Sequence, residues 1–563
     1  MPNTPSATAA QGLRPDSRPS PDGQAPPYWN VVQGTEALPR PTLSMGGFKH
    51  LLVPALAAAC LSDRPWRIGN APRIEDRRVL SATLRHLGAS VVDDGPRVTV
   101  DASGLSGTRI PGDLSAGIHG GVYLLPALLA ARGEAVSGAH GGCAIGGGTG
   151  GARPLSHMAS VLERFGARCE AGAEGFRATA PPGGLRGTRI DLADYADTEP
   201  GTGTLTGPHY SGATKTALLA AVTARGTTVL TDPYPKPDAL ELARLLGAAG
   251  ARIEIAPRRI TVEGLGGPLD GAELTLPSDL MEVVTFIAWA VHLRREADLL
   301  LERPDLVRAG LAPELECLSA MGVPLDWDGS LLRVRPPEHL NAARVLASSH
   351  HLYSDAGPLF ALMLLGADKP SRLTDGVWTD RFRYAEGLRA MGARLIRKDN
   401  ELHITPGPLH AAPRPLVATD LRAAATLLLA ALGTGAPHRL YGVGHLARGY
   451  EDLPAKLALT GAHIEVPSGT GDPAGTAGSH TAGTHTTGTH TVGSPAAAAH
   501  TAGSPAAGTH TVRTPADAPH TAGSRASGTP QDAAQAPGTR PADADKHRAE
   551  TAGTGADGTG EAA

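Results

Sequence analysis

Read along the chain, the apolar positions fall into two kinds of helix-length segment separated by short Val/Ile-rich runs. The first kind is amphipathic and ends in a glycine: LRHLGASV at Gly88, LERFGARC at Gly166, LGAAGARI at Gly250, LSAMGVPL at Gly322, LRAMGARL at Gly392 and LALTGAHI at Gly461. Apolar residues at helical spacing predict a helix. The glycine just past it predicts a left-handed cap, and the β-branched run that follows predicts a strand. The second kind is apolar nearly all round: HLLVPALAAACL, GVYLLPALLAARG, ATKTALLAAVTARG, VVTFIAWAVHL, PLFALMLLG and RAAATLLLAALGTG. A helix without a polar face is predicted to be buried. Each is followed by a short strand-like stretch such as TTVLTD or PHRLYG. The unit is roughly β-α-β-α-β-β, and it recurs six times at intervals of about 70–85 residues. A single unit cannot cover its own apolar helices, so several should pack together, splitting naturally as three plus three.

Outside this zone the pattern stops. Residues 1–30 are Pro/Ser/Ala-rich and are expected to form a disordered tail. From 468 to 563 the chain turns to Gly, Thr, Ala, Ser, Pro and His, with near-repeats such as GTHTTGTHTV. So few large apolar residues cannot offset the entropy of ordering, and a solvated low-complexity tail is expected. Its histidines could hold a metal loosely, but composition alone accounts for the segment.

Composition narrows the chemistry. Hydrophobic residues make up 41% of the 563 residues, enough for a sizeable core, while aromatics are only 4%, so the core must be aliphatic. The net charge of −4 leaves no basic field of the kind that holds nucleic acid, and an anionic ligand must be held by a few focused cations. The four cysteines, Cys60, Cys143, Cys169 and Cys317, are too scattered for a disulfide framework. The N-terminal segment has no apolar h-region, and Leu51 to Cys60 is far too short to span a bilayer. A soluble cytoplasmic protein is expected, with no membrane partner and with its oligomeric state open.

The motifs are Gly47-Phe48-Lys49-His50, His140-Gly141-Gly142-Cys143-Ala144-Ile145-Gly146, Ala152-Arg153-Pro154, Ser354-Asp355, Asp380-Arg381-Phe382, Asp420-Leu421-Arg422 and Arg448-Gly449-Tyr450-Glu451. In this order and spacing they resemble the enolpyruvyl transferase family, over about residues 40–467. The likeness is strongest to the branch that attaches enolpyruvate to UDP-N-acetylglucosamine for peptidoglycan synthesis. The shikimate-pathway branch lacks the cysteine. The resemblance implies an inside-out α/β barrel of two domains with three βαβαββ repeats each. One domain would be residues 47–265, and the other residues 31–46 plus 266–467, closing together on the substrates.

The chemistry explains why such residues are wanted. Phosphoenolpyruvate carries a carboxylate and a phosphate, and guanidinium groups suit both anions. By resemblance, Lys49, Arg153 and Arg448 face the phosphate, and Arg381, Arg422 and Arg448 the carboxylate. Any one of these cations could equally be a surface ion pair; the matched set points to a ligand. Addition to the enol needs an acid near C3 and a base near the acceptor hydroxyl. Cys143 is the candidate acid, since it lies in a glycine-rich loop where nearby cations would lower a thiol pKa. Asp355 resembles the aspartate that accepts the hydroxyl proton, although it could serve only as a helix cap. Asp420 resembles a carboxylate that orders the arginines, with the same simpler alternative. His50, His119, Pro154 and Trp378 complete the expected substrate contacts. The reaction requires no metal or organic cofactor.

Several positions depart from the family pattern. His50 stands where an asparagine normally touches the reacting hydroxyl, and His119 where an arginine stands on the phosphoenolpyruvate side. Leu280 replaces another arginine, beside a retained Glu282. Arg153-Pro154-Leu155-Ser156-His157-Met158 lacks the aspartate of the usual uracil loop, and the stretch from Cys143 to Arg153 is longer. Most changes fall on the acceptor side. The favoured expectation is therefore transfer to a uridine nucleotide, UMP at its 3′-hydroxyl, as in a related enzyme type of nucleoside-antibiotic pathways. The alternatives are the UDP-N-acetylglucosamine 1-carboxyvinyltransferase itself and an inactive nucleotide-binding paralogue.

Overall fold

The computed structural model describes residues 27–33, 40–142, 145, 155–172, 175–198, 205 and 207–467. Cys143, Arg153, Pro154, the N-terminal residues to 26 and the tail from 468 lie outside them.

The described chain builds six four-stranded sheets on one plan. A strand pairs in parallel with an edge strand on one side and antiparallel with a hairpin strand on the other. The sheet of Arg189–Asp191, Arg225–Thr231, Arg259–Leu265 and Arg252–Ala256 is an example made from contiguous chain. Every sheet is open, and no closed barrel of strands forms among the described residues.

The two helix kinds behave as their patterns predict. The all-apolar helices are Lys49–Ala58, Leu124–Arg132, His209–Ala221, Leu280–Leu293, Gly357–Leu364 and Leu421–Gly433, and each is buried over most of its length. The last three each touch the other two, and Leu124–Arg132 packs on both Lys49–Ala58 and His209–Ala221. The amphipathic helices, such as Glu75–His86 and Pro237–Ala248, end at the six named glycines. All six have φ between 82° and 99°, a conformation that a Cβ disfavours.

Three strands do not pair where the repeat suggests. Thr42–Ser44 pairs with Ala297–Leu300, and Ala272–Thr275 pairs back with Trp66–Gly69. A division at residue 265 would therefore separate Ala272–Thr275 from the sheet it completes. Tyr28–Gln33 lies between His438–Tyr441 and Ala462–Glu465, antiparallel to both. This strand takes Tyr28, Trp29 and Asn30 out of the expected N-terminal tail. The physical reason is that the last unit supplies only three of its own four strands, and Val31, fully buried, fills the gap.

Cys60, Cys169 and Cys317 are free thiols, as expected of reduced cysteines. Burial pushes Cys60 and Cys169 up to about 12 and Cys317 to about 11. Among the described residues, no helix is long and apolar enough to cross a membrane.

Candidate functional site

Four all-apolar helices begin at one place, and their first turns carry the polar residues of a cleft. Lys49 opens its helix and donates its backbone N–H to Asp279 Oδ2 at 2.9 Å. Asp279 Oδ1 in turn caps Leu280–Leu293 by accepting the N–H groups of Met281 and Glu282. One carboxylate thus joins two helix starts, where the helix dipole favours negative charge. Glu282 accepts the Gly46 N–H and pairs with Lys456 at 2.6 Å, fixing the approach to Lys49. Gly47 must be glycine, because a Cβ there would lie 1.7 Å from the Asn70 carbonyl oxygen.

Asp76, almost fully buried, holds two of the expected cations. Its Oδ1 lies 2.9 Å from Lys49 Nζ and its Oδ2 lies 3.2 Å from Arg448 Nε. Lys49 Nζ also donates to the Arg448 carbonyl at 2.7 Å.

Asp355 does the same on the opposite wall. Oδ1 meets Arg381 Nη2 at 2.8 Å, and Oδ2 meets Arg422 Nε at 2.9 Å. Burial alone would raise its pKa, but Arg422 and Arg381 hold it well below the usual carboxylate range. Arg422 further donates to the Tyr450 hydroxyl at 2.9 Å, and Tyr450 meets Thr285 at 2.7 Å. Asp420 caps Leu421–Gly433 through the N–H groups of Arg422 and Ala423, and its Oδ1 lies 3.6 Å from Arg381 Nη1.

These residues surround a cleft of about 270 Å³. Of the expected site residues, Lys49, His50, His119, Asp355, Trp378, Arg422 and Arg448 line it. Arg381 and Asp420 stand behind the wall, where they brace Asp355 and Arg422. Ile145 lines the cleft as well.

Other lining residues escaped sequence reasoning. Lys215 and Asp238 form a buried ion pair, and the Tyr353 hydroxyl donates to Asp238 at 3.0 Å. His157 and His209 stack with ring centroids 4.6 Å apart and planes 13° apart. Lys215 had a legible signal: a lysine inside ATKTALLAAV, an otherwise apolar buried helix, demands a buried partner. Asp238 had none, since an acidic residue after Pro237 reads as an ordinary first turn. His50 Nε2 lies 3.9 Å from Asp355 Oδ2, and its ring stacks on Tyr353 with centroids 6.3 Å apart.

Chemically, the cleft presents Lys49, Arg422 and Arg448 toward a common space, each steadied by a carboxylate, Asp76 for Lys49 and Arg448 and Asp355 for Arg422. That is a receptor for a small polyanion with a titratable wall beside it. Among the described residues, no group of three or more His, Cys, Asp or Glu side chains is arranged to hold a metal ion.

Comparison with known proteins gives this geometry its context. Residues 42–457 match the family model of EPSP synthase (3-phosphoshikimate 1-carboxyvinyltransferase). The chain is 33% identical over 445 residues to a UDP-N-acetylglucosamine 1-carboxyvinyltransferase of Paracoccus denitrificans, covering 77% of this chain and 97% of that one. It is 32% identical over 429 residues to the protein of that name from Dinoroseobacter shibae, covering 75% and 95%. Among solved structures it is similar to the enolpyruvyl transferase NikO from Streptomyces tendae, with 36% identity, TM-score 0.71, and 78% and 99% of the two chains covered. An EPSP synthase from Acinetobacter baumannii, at 19% identity and TM-score 0.55, shares the fold.

Proposed function

Because the chain belongs to the EPSP synthase family and is an enolpyruvyl (1-carboxyvinyl) transferase that uses phosphoenolpyruvate, we propose that its acceptor is a uridine nucleotide, UMP at the 3′-hydroxyl, in nucleoside-antibiotic biosynthesis. The observation that carries this choice is His50. It stands on the cleft wall beside Asp355, where the resemblance calls for an asparagine contacting the sugar hydroxyl. Lys49, Arg422 and Arg448 are kept on the phosphoenolpyruvate side, where His119 is the exception, and most of the changes fall on the acceptor side.

In this reading Lys49 and Arg448 hold the phosphate, joined by Arg153, and Arg422 holds the carboxylate with Arg448 between. Arg381 and Asp420 act through their neighbours, keeping Asp355 and Arg422 in place. Cys143 delivers a proton to C3 while the acceptor oxygen attacks C2. The tetrahedral adduct then loses a C3 proton and phosphate, leaving the enol ether. Fixed charges facing the cleft stabilise the charge that moves onto the phosphate. Two lobes close over the substrates: residues 47–275, because Ala272–Thr275 completes the sheet of Trp66–Gly69, and residues 28–46 plus 276–467, because Tyr28–Gln33 pairs within the last unit. The grouping of the buried helices supports that division.

A second reading keeps UDP-N-acetylglucosamine as acceptor, and the names of the relatives at 32–33% identity favour it. The test is phosphate release from phosphoenolpyruvate with each acceptor separately. UMP is expected to give a kcat/KM at least about 100-fold above UDP-N-acetylglucosamine, a transition-state difference of about 2.7 kcal/mol. The reverse ratio would assign the chain to cell-wall synthesis, and release with neither would make it an inactive paralogue.

A further inference from the structure

The acceptor hydroxyl must lose a proton as its oxygen bonds to C2, and two groups on the cleft wall could take it. Asp355 is the poorer base. Each of its oxygens already accepts from a guanidinium, Arg381 on one side and Arg422 on the other, and those charges favour its ionised form. His50 is differently placed. Its side chain is 32% exposed, and the cleft is where it is open.

The 3.9 Å between His50 Nε2 and Asp355 Oδ2 is too long for a direct hydrogen bond. It does admit one oxygen atom about 2.8 Å from each. A hydroxyl seated there touches both groups and can donate to only one of them. We propose that His50, rather than Asp355, takes the proton of the acceptor hydroxyl, with Asp355 steadying the imidazolium that forms. This inference rests on reading the cleft as an enolpyruvyl-transfer site.

The step balances without a further reactant. The O–H bond breaks, its proton goes to the imidazole, and the oxygen lone pair forms the bond to C2. The C2–C3 π pair takes a proton at C3 from the acid. On collapse the C2–O bond to phosphate breaks, phosphate leaves with the pair, C3 returns its proton, and the imidazolium proton departs with phosphate or water.

The surroundings suit a neutral imidazole that charges only in passing. Burial lowers the His50 pKa from its ordinary 6.5, while Asp355, Asp238 and Asp279 pull it up and Lys215 pushes it down. These come from the elements packed around the ring: the turn before Gly357–Leu364, the helices Pro237–Ala248 and His209–Ala221, and the cap of Leu280–Leu293. Arg422 stands beyond Asp355, and Tyr353 lies against the ring face.

The experiment compares wild type, His50→Gln and His50→Ala by phosphate release with phosphoenolpyruvate and whichever of UMP and UDP-N-acetylglucosamine wild type uses. His50→Gln is expected to lose at least about 100-fold in kcat, with the KM for phosphoenolpyruvate within about threefold. The acid limb of kcat/KM that belongs to His50 should vanish in this variant, leaving only the ionisation of phosphoenolpyruvate itself. Added imidazole should restore part of the rate to His50→Ala. The proposal is overturned if His50→Gln keeps its rate within about threefold, if the limb persists, or if imidazole restores nothing. It is also overturned if calorimetry shows that His50→Gln no longer binds phosphoenolpyruvate, since His50 would then be scaffold. Wild type that releases phosphate with neither acceptor would instead sink the enolpyruvyl-transfer reading on which the proposal stands.

Discussion

Single carboxylates organise the cations of this cleft. Asp76 holds Lys49 and Arg448 from its two oxygens, and Asp355 holds Arg381 and Arg422. Removing one member of a buried pair leaves the other charge unmet, at a cost of about 3–5 kcal/mol. Asp76→Ala is therefore expected to lower unfolding stability by that order in urea and to raise the KM for phosphoenolpyruvate. Lys215→Met should cost a similar amount, because Asp238 would stay buried and charged. Adding Asp238→Leu to it should recover most of the loss, a comparison that chemical denaturation can make directly. The acid side of the stability curve follows from Asp355. Its folded pKa is depressed, so its contribution is complete above the unfolded value of about 3.9 and is lost as pH falls below it. The midpoint of urea unfolding should drop as pH is lowered from 5 toward 3, and less steeply in Asp355→Asn.

Helix starts are the unit by which the site is assembled. Lys49, Asp279, Asp355 and Arg422 each stand at or just before the first turn of a buried helix, so the site inherits the rigidity of the helix packing. Gly47→Ala would drive a methyl group onto the Asn70 carbonyl 1.7 Å away. A steep loss of phosphate release and a lower melting temperature are expected, even though no substrate-facing group is removed. The helices were legible in the sequence because they are long and because the six glycines mark where half of them stop. Strand partners were not. Thr42–Ser44 and Leu416–Val417 are three and two residues long, too short for alternation to register, and the partner of the first, Ala297–Leu300, lies far away in sequence. In the site, Lys49, His50, Asp355, Arg422 and Arg448 were legible through motif order. Asp420 was legible, by resemblance, as a carboxylate that orders the arginines, whereas Arg381 was expected to touch the carboxylate and not to stand behind the wall. The stacked His157 and His209 were not legible, since aromatic contacts between distant segments leave no local pattern.

For the whole molecule, two chain crossings carry the connection between the first and fourth units. Thr42–Ser44 joins Ala297–Leu300, and Ala272–Thr275 joins Trp66–Gly69. If lobes close on the substrates, these paired crossings are the pivot. Small-angle scattering should then show a smaller radius of gyration with phosphoenolpyruvate and acceptor together than with either alone. An unchanged radius would mean that the cleft works without closure.

The strand Tyr28–Gln33 has a consequence for how the protein is made. Both its neighbours, His438–Tyr441 and Ala462–Glu465, emerge from the ribosome roughly 400 residues after it. At synthesis rates of about 5–20 residues per second, this strand waits on the order of 20–80 s without its strand partners. The nascent chain must therefore be kept from pairing with other chains throughout that interval, and the last sheet can close only once Ala462–Glu465 has emerged.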